Sequence, residues 1–190
     1  MSKRKKIKKP ESFISRFKKR FQQQSSVILF CMGLVAIMFV YYWLYSQDFF
    51  NENINLPILK AYAKAGNWVL NVFGMETHAN ATLISNDEFT LNVGKGCDAF
   101  SPMILILAAI LTFPMPFKLK IPALLIAPVA IIILNIIRIV SLFFIGRYAP
   151  GIFEVAHVEI WQTAFIIFCL MGWLYWLIWA NQKKQMITQN

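Results

Sequence analysis

Val93-Gly94-Lys95-Gly96-Cys97-Asp98-Ala99-Phe100-Ser101 runs without interruption into Pro102-Met103-Ile104-Leu105-Ile106-Leu107. The passage changes character at the cysteine, with glycines and polar residues before it and a continuous apolar run after it. It reads as a thiol set at the mouth of a membrane-spanning helix. Gly94 and Gly96 permit a tight backbone ahead of the thiol. Pro102 fits only a first helical turn, so the helix begins near Ala99.

Working outward, 58% of the 190 residues are hydrophobic and 15% aromatic. A soluble domain of this length rarely carries that much apolar surface. Crossing a bilayer takes about 20 mostly apolar residues. Three runs meet that length and the one after Cys97 falls short of it. They are Ser26 to Tyr45, Ala99 to Phe113, Ile121 to Ile145, and Val158 to Ala180. The expected fold is an all-α polytopic membrane protein with about four transmembrane helices and both termini cytoplasmic. The first run follows a basic segment but is too long for a signal peptide and lacks a small-x-small cleavage site, so it reads as a retained anchor. Tyr41-Tyr42-Trp43 fits an interfacial aromatic belt at its far end.

The net charge of +10 raises nucleic acid as a partner, but its placement argues for a lipid surface. Ten of the 19 Lys and Arg lie in residues 3–20. Within the basic segment 1–25, Phe13, Phe17 and Phe21 recur every fourth residue. Either a helix lies flat on the cytoplasmic leaflet there, or an irregular basic tail enforces orientation. Residues 46–96 are the one sizeable non-spanning region, expected on the extracytoplasmic side. Leu56 to Phe73 reads as an amphipathic surface helix. Thr82-Leu83-Ile84 and Phe89 to Val93, around Ser85-Asn86-Asp87-Glu88, read as a β-hairpin that delivers Cys97 to the membrane edge. Residues 97–180 then form a membrane core of three helices, and 181–190 a basic cytoplasmic tail.

This topology puts fourteen Lys and Arg on the inner side (the ten above, Lys118, Lys120, Lys183 and Lys184) against Lys60, Lys64, Lys95 and Arg147 outside. The positive-inside rule favours it clearly. If residues 56–73 spanned, the parity would break and the basic Lys118–Lys120 turn would move outside.

Three chemically capable residues then meet at one interface. Cys97 opens the second span, and Arg138 lies about 25 Å along the third, at 1.5 Å per residue from Ile121. His157 precedes the fourth. Asn135 and Arg138 are three apart and share a helix face. Each has a bland reading alone: a snorkelling arginine, an interfacial histidine, a small buried thiol. Six of the seven residues after Arg138 are apolar, however, and an ionised group so placed usually faces the protein interior with a partner. Together the three supply a nucleophile, a base and a fixed cation, the parts of an acyl-transfer site. The arginine would hold a substrate carbonyl or a tetrahedral oxyanion, and N–H groups at the helix start would assist it. Cys31 and Cys169 fall inside apolar runs. With no C-x-x-C and no zinc-type ligand cluster, neither a metal nor another cofactor is expected.

At these residues the chain resembles the exosortase/archaeosortase family of membrane cysteine transpeptidases. The matching features are Gly96-Cys97 before an apolar span, Asn135-Ile136-Ile137-Arg138 in the next, and Ala156-His157 before the last. The likeness covers roughly residues 80–180, and Leu142-Phe143-Phe144 through Gln162 looks most like the short exosortase H branch. The resemblance implies Cys97 as nucleophile, Arg138 as substrate or oxyanion residue and His157 as acid/base, with Gly96, Asp98 and Asn135 in support. It also implies a place in the cytoplasmic (inner) membrane of a prokaryote, with the site facing outward. The implied substrates are exported proteins ending in a short motif, a transmembrane helix and a basic tail. Their new C-terminus passes to a cell-surface acceptor. Many members carry a small pair with glycine after the cysteine, where this chain has Asp98-Ala99-Phe100. An acid there should raise the thiol pKa or bind something basic in the substrate. The rival readings are a non-catalytic four-span protein, such as an assembly factor or a channel- or holin-like element, and an envelope thiol oxidoreductase. The first leaves the convergence of Cys, Arg and His unexplained, and the second lacks a resolving cysteine on the outer side.

Overall fold

The computed structural model describes residues 13–189, with side chains from Ser25 to Met186. The start of the basic segment, and whatever its phenylalanines face, lie outside the described residues. Helix α1 (Phe13–Tyr45) is continuous for 33 residues. A short turn α2 (Asp48–Phe50) and a π-helical turn (Asn51–Asn55) lead into α3 (Leu56–Val72). Strands β1 (His78–Asn80), β2 (Leu83–Ser85) and β3 (Thr90–Asn92) form an antiparallel sheet in that order. Then come α4 (Phe100–Thr112), α5 (Phe117–Tyr148), a 3-10 turn (Pro150–Ile152), a π-helical turn (Val155–Ile160) and α6 (Trp161–Gln189).

Among the described residues three helical stretches are long and apolar enough to cross a membrane: Ser25–Tyr45, Phe117–Tyr148 and Val155–Met186. Helix α4, with 13 residues, is about 20 Å long and does not cross by itself. The protein is an all-α polytopic membrane protein with a small sheet at one end. Much of its apolar surface faces outward, including Leu29, Phe39, Leu125 and Tyr175. Such exposure is the normal state of side chains that contact lipid tails.

The contacts arrange α1, α5 and α6 around α4 with the starts and ends sorted. Phe30 of α1 meets Phe113 and Trp173 at one end of the bundle, where the Trp176 indole N–H also donates to the Leu119 carbonyl at 2.9 Å. At the other end Tyr41 and Tyr45 meet the residues after Cys97. Two cores result. One joins α4, α5 and α6 through Ile106, Ile110, Ile131, Phe165 and Trp176. The other packs α3 and the sheet on the last turns of α5 through Leu59, Leu70, Ile84, Leu91, Ile139, Leu142 and Phe143.

That second core revises one inference from sequence. The apolar residues after Arg138 do not measure bilayer depth, because Ile139, Leu142 and Phe143 are covered by α3 and the sheet. Helix α5 therefore continues into the cap. Residues 56–73 form the expected amphipathic helix, with Leu59, Tyr62, Ala63, Gly66 and Leu70 buried and Trp68 and Val72 exposed. The expected hairpin is present as β2 and β3, with Ile84 opposite Leu91, and gains β1 as a third strand. The close approach of sheet and helix needs Gly146, since a Cβ there would run into the Phe89 ring. Phe89 cannot swing clear, as it is held edge-on by Phe143 and Phe153.

Candidate active site

Cys97 sits in a turn whose backbone is bent by two left-handed residues, Gly96 at φ 89° and Ala99 at φ 57°. For Ala99 that conformation costs on the order of 1–2 kcal/mol, so neighbouring interactions must hold it. Asp98 supplies them. Its carboxylate accepts the Phe100 N–H at 2.9 Å, the Gly96 N–H at 3.3 Å and the Tyr45 hydroxyl at 2.6 Å. The Phe100 contact is an Asx-turn that opens α4. The Tyr45 contact ties the turn to α1, and Tyr41 repeats the tie one helical turn earlier with Ser101 at 3.0 Å. Asp98 is buried and thus organises the cysteine turn.

The thiol faces the imidazole. Cys97 Sγ lies 3.7 Å from His157 Nε2, within hydrogen-bonding range for sulfur. His157 belongs to the π-helical turn, whose widened register is a frequent feature of functional sites. The Val155–Ile160 turn runs directly into α6, so the histidine lies inside the first turn of that helical stretch and not in a loop ahead of it.

Two residues of α5 fix the pair. Asn135, fully buried, donates from Nδ2 to the Cys97 carbonyl at 2.6 Å. Arg138, three residues on, donates from Nη1 to the Gly96 carbonyl at 3.0 Å and from Nη2 to the His157 carbonyl at 3.2 Å. Its guanidinium also stands 5.7 Å from the Phe165 ring centroid. One rigid fork therefore clamps the cysteine turn to the histidine turn, a task suited to the planar guanidinium. Its buried Nε has no hydrogen-bond partner among the described residues. All six residues singled out from sequence (Gly96, Cys97, Asp98, Asn135, Arg138 and His157) come together here.

Burial is the largest influence on the Cys97 thiol and pushes its pKa above the ordinary value of 9.0; Arg138 pulls it down and Asp98 adds to the rise. The rise from the acid is as expected. The lowering expected from the cation is present but smaller than the desolvation cost. Burial thus favours the protonated thiol, and His157 Nε2 is the titratable nitrogen beside it.

Two clefts flank the site. The larger, about 480 Å³, runs from Lys95, Gly96 and Asp98 past Arg138 and His157 down an apolar wall of Met38, Leu105, Phe165, Ile166 and Cys169. The smaller, about 280 Å³, lies on the sheet side, with Cys97 and His157 at one end. His157 borders both.

Tyr41, Tyr45, Phe165 and Lys95 escaped the sequence reading. The tyrosines carried a signal in their spacing of four, which puts both on one helix face. Tyr41 is 6% exposed while Tyr42 and Trp43 are 55% and 59% exposed, so the aromatic cluster divides between site and exterior.

The sequence model of the transmembrane exosortase family (Exosortase_EpsH) matches residues 23–174. The chain belongs to that family. No curated protein and no solved structure matches the chain.

Proposed function

We propose that this exosortase-family protein is a membrane-embedded cysteine peptidase and transpeptidase. Its substrates are exported proteins that end in a short motif, a transmembrane helix and a basic tail. The observation that carries the proposal is the 3.7 Å approach of Cys97 Sγ to His157 Nε2, with both backbones held by Arg138 and Asn135.

His157 Nε2 accepts the thiol proton as Sγ attacks the scissile carbonyl carbon. The tetrahedral oxyanion forms beside the guanidinium of Arg138. The C–N bond breaks, the proton passes from His157 to the departing amine of the terminal helix, and a thioester remains on Cys97. An acceptor amine then attacks that thioester while His157 takes its proton, and the thiol is restored. With water as acceptor the outcome is hydrolysis. The larger cleft, apolar along its depth, suits the departing helix.

The ten Lys and Arg of residues 3–20, with Lys118, Lys120, Lys183 and Lys184, favour a topology with these segments in the cytoplasm and Cys97 at the extracytoplasmic face of the inner membrane. A membrane-impermeant maleimide should then reach Cys97 in spheroplasts. The test of function compares C-terminal peptides from cells expressing the wild-type chain or Cys97→Ala. A set of exported proteins should lose the terminal helix only with the wild type. Equal processing in both strains refutes the proposal.

A further inference from the structure

The sheet has two edge strands, β1 and β3, and the edge of β3 leads to the thiol. Strand β3 pairs with β2 alone. The Val93 N–H donates to the Thr82 carbonyl at 2.9 Å and the Asn86 N–H to the Phe89 carbonyl at 3.0 Å. Residues 89, 91 and 93 therefore turn their main-chain groups toward β2. Alternation along an antiparallel strand leaves the Thr90 N–H and C=O and the Asn92 N–H pointing away from it. The Asn92 carbonyl is engaged locally by the Gly94 N–H at 3.1 Å.

The smaller cleft follows this edge. Thr90, Leu91, Asn92 and Val93 all border it. A strand seen face-on contributes alternate residues, because successive side chains point to opposite sides. Four consecutive residues therefore mean that the cleft meets β3 along its edge. Ile139, Leu142, Phe153 and Glu154 line the rest of it, together with Cys97 and His157. Free main-chain groups, a slot beside them and the nucleophile are continuous.

We propose that the edge of β3 receives the substrate residues immediately before the scissile bond as a fourth strand, recognised main chain to main chain. This rests on the acyl-transfer reading and specifies how its substrate is held. Direction follows from connectivity. Strand β3 approaches Cys97 with its C-terminal end, and so must the acyl half of the substrate, so the two run parallel. At about 3.3 Å per residue the Thr90–Val93 edge accommodates about four substrate residues. Recognition by main chain asks little of their sequence, with preferences confined to alternate positions. The peptide then crosses the Cys97–His157 pair, and its downstream helix enters the larger cleft on the other side of His157.

Sequence-neutral electrophiles test this on the full chain in detergent. The rate of Cys97 alkylation is measured with acetyl-tetraalanyl chloromethyl ketone and with acetyl-alanyl chloromethyl ketone, which share a warhead and differ in length. The longer reagent should react about tenfold faster, the worth of one or two net main-chain hydrogen bonds. Methylating single amide nitrogens of the longer reagent should abolish the gain at alternate positions only. Thr90→Pro removes an N–H that β2 does not use, and proline is tolerated on an edge strand. It should abolish the gain while leaving alkylation by iodoacetamide unchanged. Equal rates for the two lengths, or a gain indifferent to amide methylation, overturn strand docking but leave Cys97 as the nucleophile. The methylated series uses the unaltered protein and decides the matter even where Thr90→Pro fails to fold. A Cys97 that reacts with none of the reagents overturns the catalytic reading as well.

Discussion

Replacing Arg138 by lysine keeps a cation beside the thiol but removes the fork. The arginine spans two carbonyls, at 3.0 Å to Gly96 and 3.2 Å to His157, which belong to the turn carrying Cys97 and the turn carrying the imidazole. A single ammonium at the end of a flexible stem can serve one of them well. The loss is one hydrogen bond from a charged donor, about 1.5–3 kcal/mol. If that energy aligns Cys97 with His157, processing should fall about 10- to 150-fold, at about 1.4 kcal/mol for each factor of ten. Alkylation by iodoacetamide requires a thiolate but no alignment with a bound carbonyl. With the charge retained it should change by less than about threefold. The assay pairs the two rates on the same purified Arg138→Lys protein, with a reporter bearing a tail that the wild type cleaves. Wild-type processing by Arg138→Lys would show that charge alone suffices and that the clamp is irrelevant. Equal losses in both rates would locate the role of Arg138 in thiol ionisation instead.

Alkylation of Cys97 should rise with pH and reach half its maximum above 9.0, because burial holds the thiol protonated; a midpoint well below that value contradicts the reading of the site. Asp98→Asn removes one cause of the rise, so the midpoint should move down and the rate at pH 7 should increase, even as the weakened turn lowers processing. Asn135→Leu leaves the buried Cys97 carbonyl without its 2.6 Å donor, at a cost of about 1–3 kcal/mol. A lower thermal midpoint in detergent and slower processing should follow, and an unchanged midpoint argues against the hydrogen bond. Gly146→Ala drives a methyl into the Phe89 ring, and such overpacking costs about 1–3 kcal/mol. It should lower the thermal midpoint and, by displacing the strand that follows Phe89, slow the tetraalanyl reagent more than iodoacetamide.

The site was legible where a residue type conflicted with its surroundings. A thiol at a helix mouth, a guanidinium within an apolar helix and a histidine at a helix start each stand out against hydrocarbon. Other features were hidden because two causes leave the same pattern. The run Ile139–Ile145 looks alike whether lipid or α3 covers it. Tyr41 and Tyr45 match an interfacial belt as well as they match hydrogen-bonding partners for Ser101 and Asp98. Strand β1, His78-Ala79-Asn80, lacks the β-branched alternation that marks a strand, and it forms because β2 offers it a partner. The π-helical turn that aims His157 depends on a main-chain register that side-chain identity does not announce. Asp98 was visible as an odd acid beside a thiol, and its Gly96 and Phe100 donors are local, but the Tyr45 donor comes from a helix that only folding brings there.

In the proposed mechanism Cys97 carries the acyl group between cleavage and transfer. The most direct measurement is intact mass spectrometry of the protein isolated during turnover of a cleavable reporter, before and after neutral hydroxylamine. The account predicts a polypeptide adduct mapped to Cys97 that hydroxylamine releases and that is missing in Cys97→Ala. An adduct on Cys31 or Cys169, or reporter cleavage that continues in Cys97→Ala with no adduct at all, would contradict it.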